Sequence, residues 1–340
     1  MVFFRADSNK QIASGHIMRC LSIAQAFIDA GEDVEFLVAD ENPVTMLNRA
    51  GVKYTILHST WNYLMEEVKV VKEKLHIHKN PLLIIDTYQV SKKYVEALLP
   101  YAKICYLGSM PEYLGPIKAL INYSTDIDYE FYNQKYSKTT KLLLGAEYAP
   151  LRKEFQEVKH IQSANGKCRV LLTTGNTDAQ NCVGKVLESL KRSNYKSLLI
   201  NVVVGAMFDA KESLHQIYDG DSMVVLHENV ASMSVLMANC DLAISANGTT
   251  VYELAAAKVP TISFAMVEEQ VKSARKLSEL GVVYYCGEIY NDETGVIENI
   301  LKTTLRLATD SEERQRLSRK ANSVIDGRGC ERIVDVLKSI

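Results

Sequence analysis

Short apolar runs and amphipathic runs alternate along this chain from end to end. No other feature constrains the fold as strongly. The apolar runs, rich in Val, Ile, Leu and Tyr, fall at 2–6, 34–39, 54–58, 81–87, 103–107 and 119–122, then at 169–174, 199–204, 223–227, 241–245, 260–264 and 282–286. Several are apolar throughout, as strands covered on both faces of a parallel sheet are. The segments between them keep helical spacing. Over 17–28, Ile17, Leu21, Ala24 and Ile28 make one stripe, with Cys20, Ile23 and Phe27 beside it. Repeated strand-helix order predicts doubly wound α/β sheets. The chain has 340 residues, more than one hydrophobic core accommodates, so two Rossmann-like domains are expected, 1–152 and 153–340. The polar stretch 153–168, "KEFQEVKHIQSANGKC", has no sustained apolar period and is the expected linker. The tail over 292–339 reads as two or three helices, the last with room to cross back to the first domain.

Composition narrows the partners. A formal net charge of −2 offers no basic field for nucleic acid. No lysine–arginine cluster suits a membrane surface, and no apolar run approaches the length of a membrane span. The opening "MVFFRADSN" meets a charge at Arg5, too soon for a signal-peptide core. Seven scattered cysteines, odd in number and without a C-x-x-C pair, read as reduced thiols of a cytoplasmic protein. The oligomeric state leaves no trace in the sequence.

Open α/β sheets bind ligands beyond the carboxyl ends of their strands, and two such domains facing one another would share a cleft. Attention therefore goes to the residues just after strands. The first strand runs into "RADSNKQIASGHIMRC", which gathers Arg5, Asp7, Gly15, His16 and Arg19 at a strand-to-helix seam. Gly15 suits a tight turn and Ser14 an N-cap. His16 then falls in the first helical turn, where a neutral imidazole able to take a proton is favoured, with Arg19 on the same face. The plain alternative is a loop histidine beside a structural Arg–Asp pair.

The fourth strand ends in "IIDTYQVS", delivering Asp86, Thr87 and Tyr88 to the same rim before a helix opened by Ser91. A carboxylate and a phenol there suit proton handling or sugar hydroxyls, although Asp86 could equally be a strand-end cap and Tyr88 packing. The seventh strand ends in "LLTTGNTDAQN", where Gly175 permits a turn and Thr177 or Asp178 can cap the next helix. Asn229 and Val230 follow the strand over 223–227. The eleventh strand leads through Asn247 and Gly248 into a helix carrying Thr249, Thr250 and Glu253. Free N–H groups and two hydroxyls there suit phosphate, and Glu253 suits ribose hydroxyls. The competing interpretation is a capping box, Thr250-x-x-Glu253. Gln270 opens the next helix within reach of the same anion. No Walker A, dinucleotide, H-E-x-x-H or G-x-S-x-G pattern occurs, and "HIH" at 76–78 has no metal-ligand spacing, so neither cofactor nor metal is expected.

These segments, in this order, resemble the PseG/SpsG family of nucleotide-sugar hydrolases. "RADSNKQIASGHIMR" is similar to its R-x-D-x-x-x-x-x-G-x-G-H-x-x-R opening, "IIDTY" to its I-D-x-Y, "GAEYAPLRKEF" (145–155) to its G-x-x-Y-A-L-L-R-x-E-F, and "ISANGTTVYE" to its I-S-A-x-G-S-T-x-x-E. The resemblance implies a GT-B architecture like that of the MurG-type glycosyltransferases. It implies a UDP-sugar with its nucleotide on the C-terminal domain. It also implies metal-independent, inverting hydrolysis at the anomeric carbon of a UDP-linked diacetamido-trideoxyhexose of the pseudaminic acid pathway, with the family's catalytic histidine at His16 and its tyrosine at Tyr88. The chain departs from the pattern at Ala13, Thr87 and Asn176, where the family has glycine, often histidine, and glycine. It also departs at "YLGSM" (106–110), where the family has an acidic pair. Two alternatives stand beside it: a GT-B glycosyltransferase on the same scaffold using the same nucleotide sugar, and, from the departures at "DTY" and "LGS", a non-catalytic nucleotide-sugar binding protein.

Overall fold

A computed structural model describes residues 1–136, 138–161, 166–193 and 196–340. They form two compact units, Met1–Lys153 together with Arg328–Ile340, and Glu154–Gly327.

The first unit holds seven parallel strands: β1 (Val2–Ala6), β2 (Val34–Val38), β3 (Lys53–Ile56), β4 (Leu82–Asp86), β5 (Lys103–Leu107), β6 (Ala119–Asn122) and β7 (Lys141–Leu144). Their spatial order is β3-β2-β1-β4-β5-β6-β7. Around them run α1 (Gly15–Asp29), α2 (Val44–Ala50), α3 (Val68–His76), α4 (Lys92–Leu98) and α5 (Tyr129–Lys135). Strand alternation divides the core in two. Val2 and Phe4 of β1 and Leu82 and Ile84 of β4 pack with Ile17, Cys20 and Phe27 of α1. Phe3, Leu83 and Ile85 pack on the other face with Val71 and Leu75 of α3 and Tyr94 and Val95 of α4. The buried stripe of α1 is His16, Ile17, Cys20, Ile23, Ala24 and Phe27, while the expected Ile28 is exposed. The strand β7 was not anticipated. It is four residues at the sheet's edge, with only Leu143 fully covered, so it carries little of the apolar signal that marks the central strands.

The second unit is a six-stranded parallel sheet of β8 (Cys168–Thr173), β9 (Leu198–Val203), β10 (Val224–His227), β11 (Leu242–Ala246), β12 (Thr261–Ala265) and β13 (Val283–Glu288), ordered β10-β9-β8-β11-β12-β13. Its helices are α6 (Cys182–Arg192), α7 (Lys211–Tyr218), α8 (Met233–Ala238), α9 (Thr249–Ala256), α10 (Val271–Glu279), α11 (Glu293–Thr309) and α12 (Ser311–Val324). The last helix, α13 (Gly329–Lys338), belongs to the first unit, where Cys330, Ile333, Val334 and Leu337 join the α1-side core.

The stretch expected as a linker is partly structural. Phe155 is fully buried, Glu154 accepts hydrogen bonds from Ser232 (2.6 Å) and Ser234 (2.8 Å), and Ile161 N–H donates to the Ala238 carbonyl (3.0 Å). Residues 162–165 of that stretch lie outside the described residues. In both sheets the strand order reverses once at the centre, between β1 and β4 and between β8 and β11. Those reversal points are where such sheets bind ligands.

Candidate functional site

At the first reversal point β1 and β4 lie side by side, with Ala6 opposite Asp86. Asp86 shares its strand face with Leu82 and Ile84, so its carboxylate points to the α1 side of the sheet. There the first turns of α1 meet it. His16 Nδ1 lies 2.7 Å from Asp86 Oδ1. Arg19 Nε donates to Oδ2 at 2.6 Å and Arg19 Nη2 donates to Oδ1, making a two-pronged pair. The Cys20 thiol donates to Oδ2 at 3.4 Å. Arg19 Nη1 donates to Tyr123 Oη at 3.2 Å.

Burial alone would raise the Asp86 carboxyl, but the Arg19 charge and hydrogen bonds, with those of His16, hold it below the ordinary aspartate value. Asp86 is therefore an acceptor, and Nδ1–H of His16 donates to it. The 2.9 Å approach of Arg19 Nη2 to His16 Nδ1 then follows from two donors converging on one oxygen. This tautomer leaves the Nε2 lone pair free to take a proton. Nε2 makes no hydrogen bond among the described residues. His16 retains 5% exposure, and the ring of Tyr88 stands edge-on to it at 5.0 Å with 57% exposure.

Arg5 and Asp7 turn out otherwise than expected. Arg5 shares its strand face with Phe3, so it points to the opposite side of the sheet. It is 0% exposed, donates to Asp7, and forks onto Glu67 at 2.6 and 2.8 Å. Glu67 also accepts from Tyr94 Oη (2.7 Å) and Ser59 Oγ (2.8 Å), and Asp7 accepts from Ala39 N–H (2.8 Å). Assigned from sequence to substrate, Arg5 and Asp7 instead tie β1 to the loops after β2 and β3, and Arg5, Asp7 and Glu67 are all buried. Gly15 also differs. It begins α1 with no positive φ, and an added Cβ would meet nothing within 4 Å. The turn is carried by Ala13, at φ 53°. Ser14 occupies the N-cap position without a side-chain cap bond.

At the second unit's reversal point, α9 starts at Thr249 with Gly248 as its N-cap residue and no side-chain cap, so the Thr250–Glu253 capping box does not form. Gly248 and Thr249 are exposed, and a Cβ on Gly248 would meet open space. Thr250 and Glu253 are half-buried. Asn247 is buried and braces the neighbouring loop, its Nδ2 donating to the Gln270 carbonyl at 3.3 Å. Gln270 Oε1 in turn accepts from Met266 N–H at 2.8 Å. Gly175 takes φ 89° after β8, and Gly205 packs so closely that a Cβ there would sit 2.5 Å from the Gly175 carbonyl oxygen. Asp178 accepts from the N–H groups of Cys182 (2.8 Å) and Val183 (3.0 Å) at the start of α6, as one of the two expected caps. Asn229, exposed, takes φ 49° beyond β10, with Val230 half-buried beside it.

Sequence reasoning missed Glu67, Tyr94, Ser59 and Tyr123. Glu67 carries no local signal, since "NYLMEEVKVVKEK" reads as a solvated helix face, and Tyr94 lies inside a helix, whereas Ser59 follows the strand over 54–58. Tyr123 does carry one, because it follows the strand over 119–122 on the searched rim. Among the described residues no helix is long and apolar enough to cross a membrane, and no three His, Cys, Asp or Glu side chains group as a metal site. All seven cysteines are buried and unpaired.

Residues 170–333 match a family model described as a protein of unknown function, DUF354. An uncharacterized protein of Methanocaldococcus jannaschii is 25% identical over 75% of this chain and 54% of its own length. The spore coat polysaccharide biosynthesis protein SpsG of Bacillus subtilis is 24% identical over 59% of each. The chain thus spans little more than half the length of these two relatives. The UDP-2,4-diacetamido-2,4,6-trideoxy-beta-L-altropyranose hydrolase of Campylobacter jejuni is 25% identical over 82% of this chain and 97% of its own. Among solved structures, MurG of Acinetobacter baumannii superposes with a TM-score of 0.70 at 14% identity, covering 100% of this chain and 99% of MurG. Anabaena HepE, solved with UDP and glucose, gives 0.59 at 14% identity, with coverage of 100% and 99%. The chain has the α/β GT-B fold, and the sequence relatives it resembles include sugar-biosynthesis proteins.

Proposed function

We propose that this protein hydrolyses a UDP-linked amino-deoxy sugar at its anomeric carbon, releasing UDP and the free sugar. The carrying observation is the Asp86–His16 pair, in which an ionised, buried carboxylate holds Nδ1–H and leaves Nε2 as base. Water attacks the anomeric carbon as Nε2 takes its proton. The bond from that carbon to the diphosphate oxygen breaks with inversion, and its electron pair leaves on UDP. Arg19 keeps Asp86 ionised, and Tyr88 lines the sugar end.

The nucleotide end is assigned to the second unit. The uncapped start of α9, with Gly248, Thr249 and Thr250, supplies N–H and hydroxyl donors for the diphosphate, where charge develops. Asn247 and Gln270 brace those donors, Glu253 takes ribose hydroxyls, and Gly175, Asn229 and Val230 line the remaining rim. Gly15 and Gly248 both leave open the space a side chain would fill, which suits close approach of a ligand. The C. jejuni relative's name makes UDP-2,4-diacetamido-2,4,6-trideoxy-β-L-altropyranose the first substrate to try.

The test is UDP release from that sugar with and without chelator, without any added acceptor. His16→Asn is expected to lower turnover by on the order of a hundredfold or more. Gly248→Ala is expected to weaken UDP binding by about tenfold, or ~1.4 kcal/mol, at unchanged melting temperature. Turnover only on addition of an acceptor would make the protein a transferase. Equal UDP release by wild type and His16→Asn would remove His16 from the chemistry.

A further inference from the structure

Tyr123 follows β6, two strands along the sheet from Asp86, and belongs to none of the motifs considered above. Its Oη accepts from Arg19 Nη1 at 3.2 Å, and the Arg19 guanidinium carbon lies over its ring, 5.9 Å from the centroid. We propose that Tyr123 is a positioning residue. By holding the far end of Arg19, it keeps Asp86 Oδ1 as the acceptor of His16 Nδ1–H and so keeps the Nε2 lone pair available. This rests on reading His16 as the base.

The geometry makes the tautomer vulnerable. Arg19 Nη2 sits only 2.9 Å from His16 Nδ1 while donating to the oxygen that Nδ1–H also uses. A guanidinium is a planar fork, so rotation about its Asp86-bound edge would aim Nη2 at Nδ1 itself. His16 would then place its proton on Nε2, and that nitrogen could no longer accept one from water. Tyr123 opposes the rotation at the one guanidinium nitrogen not engaged by Asp86. The groups facing His16 are Arg19 from α1, Asp86 from β4 and Tyr88 beyond it, and the Cys20 thiol of α1 donates to Asp86. Tyr123 and Tyr106 approach Arg19 and Asp86 from β6 and β5.

The experiment is nitrogen-15 NMR of the full-length protein with labelled histidine. His16→Asn identifies the His16 signals among the seven histidines. Wild type is expected to show the Nδ1–H tautomer. Tyr123→Phe keeps the ring and removes the acceptor, and is expected to move His16 toward the Nε2–H form and lower kcat about tenfold with KM nearly unchanged. Tyr132→Phe, a phenol nearby on α5, is expected to alter neither. If Tyr123→Phe does not fold, Tyr123→Leu is read in the same spectrum. An unchanged His16 tautomer and kcat in a folded Tyr123 variant would overturn the proposal. Because the tautomer is read without substrate, absent UDP release in wild type would sink the hydrolase reading while leaving the Tyr123 result standing on its own.

Discussion

The first unit carries two buried ionic networks on opposite faces of one sheet, and they differ in a single respect. The Arg5–Asp7–Glu67 network on the α3 face is closed, its arginine and glutamate side chains without exposure and its polar atoms joined to Tyr94, Ser59 and Ala39. The Asp86–Arg19–His16 network on the α1 face is sealed at the carboxylate but opens outward, the arginine side chain retaining 18% exposure and the histidine 6%. Each sets an aspartate at a strand end against an arginine, Arg5 within β1 and Arg19 within α1. The difference teaches that at such a seam the strand face decides the role. Arg5 faces the interior helices and becomes a fastener, while Asp86, one alternation out of phase, faces the helix that brings the histidine.

The comparison breaks hardest at Glu67. Glu67→Gln leaves a fully buried guanidinium with Asp7 as its only carboxylate, and breaking a buried pair costs about 3–5 kcal/mol. Urea unfolding followed through the single tryptophan, Trp61, which lies in this unit, is expected to show that loss. Turnover per folded molecule should stay within about twofold, because the closed network touches no reacting group. A large fall in kcat at preserved stability would reverse the assignment of the two faces.

Asp86→Asn is expected to do the opposite, with a loss of about 2 kcal/mol, since Arg19 keeps partial access to water, and a fall in kcat on the order of a hundredfold. Its acid profile separates it further. The native Asp86 carboxyl is held below its ordinary value, so its contribution is fully present above the unfolded aspartate value of about 3.9 and is lost as pH falls through the lower native value. Wild-type stability should therefore drop more steeply than that of Asp86→Asn below about pH 4. Parallel acid profiles would mean the pair with Arg19 does not hold in solution.

Two phenols sharpen the contrast at smaller scale. Tyr94 Oη is fully engaged with Glu67, whereas Tyr106 Oη is buried with no side-chain hydrogen-bond partner among the described residues, and a Cβ on Gly108 would sit 2.3 Å from it. Tyr94→Phe is expected to cost about 1–2 kcal/mol, and Tyr106→Phe to be neutral or to stabilise by up to about 1 kcal/mol. Equal losses for both would show that Tyr106 has a partner after all, and thermal melts of the two variants decide it.

What the sequence made legible follows the same physics. The central strands are legible because both faces are covered, and the parallel order forces the ends of β1 and β4 together, so Asp86 and the seam that carries His16 fall on one rim of the sheet. Glu67 stayed hidden because its partner is 62 residues away, and no local pattern distinguishes a buried glutamate from a solvated one. Gly205 stayed hidden for a similar reason, its constraint being the Gly175–Asn176 backbone of another loop. Arg5 stands at the same seam but alternates with Phe4 and shares its face with Phe3, so it points to the side away from His16.

The smallest expected effect lies where the two networks join. The loop from Asp7 to Gly15 runs from the closed network to the open one, and its turn is made by Ala13 at φ 53°. Its start is held by Asn9 Oδ1, which accepts from the N–H groups of Gln11 (2.8 Å) and Ile12 (3.1 Å), and Asn9 bridges to Ala13. An alanine in the left-handed region costs roughly 1–2 kcal/mol, because its Cβ crowds the following carbonyl. Glycine removes that cost but adds about 0.5–1 kcal/mol of unfolded-state freedom. The two nearly offset, so Ala13→Gly is expected to stabilise by only about 0.5 kcal/mol. The same substitution frees the backbone that sets where His16 begins its helix, so kcat should fall slightly, by about twofold, as stability rises. Opposite signs in the melt and in turnover would show that this residue's strain is held for positioning. A rise in both would mean that the loop tolerates slack and that the open network is fixed by Asp86 and Arg19 alone.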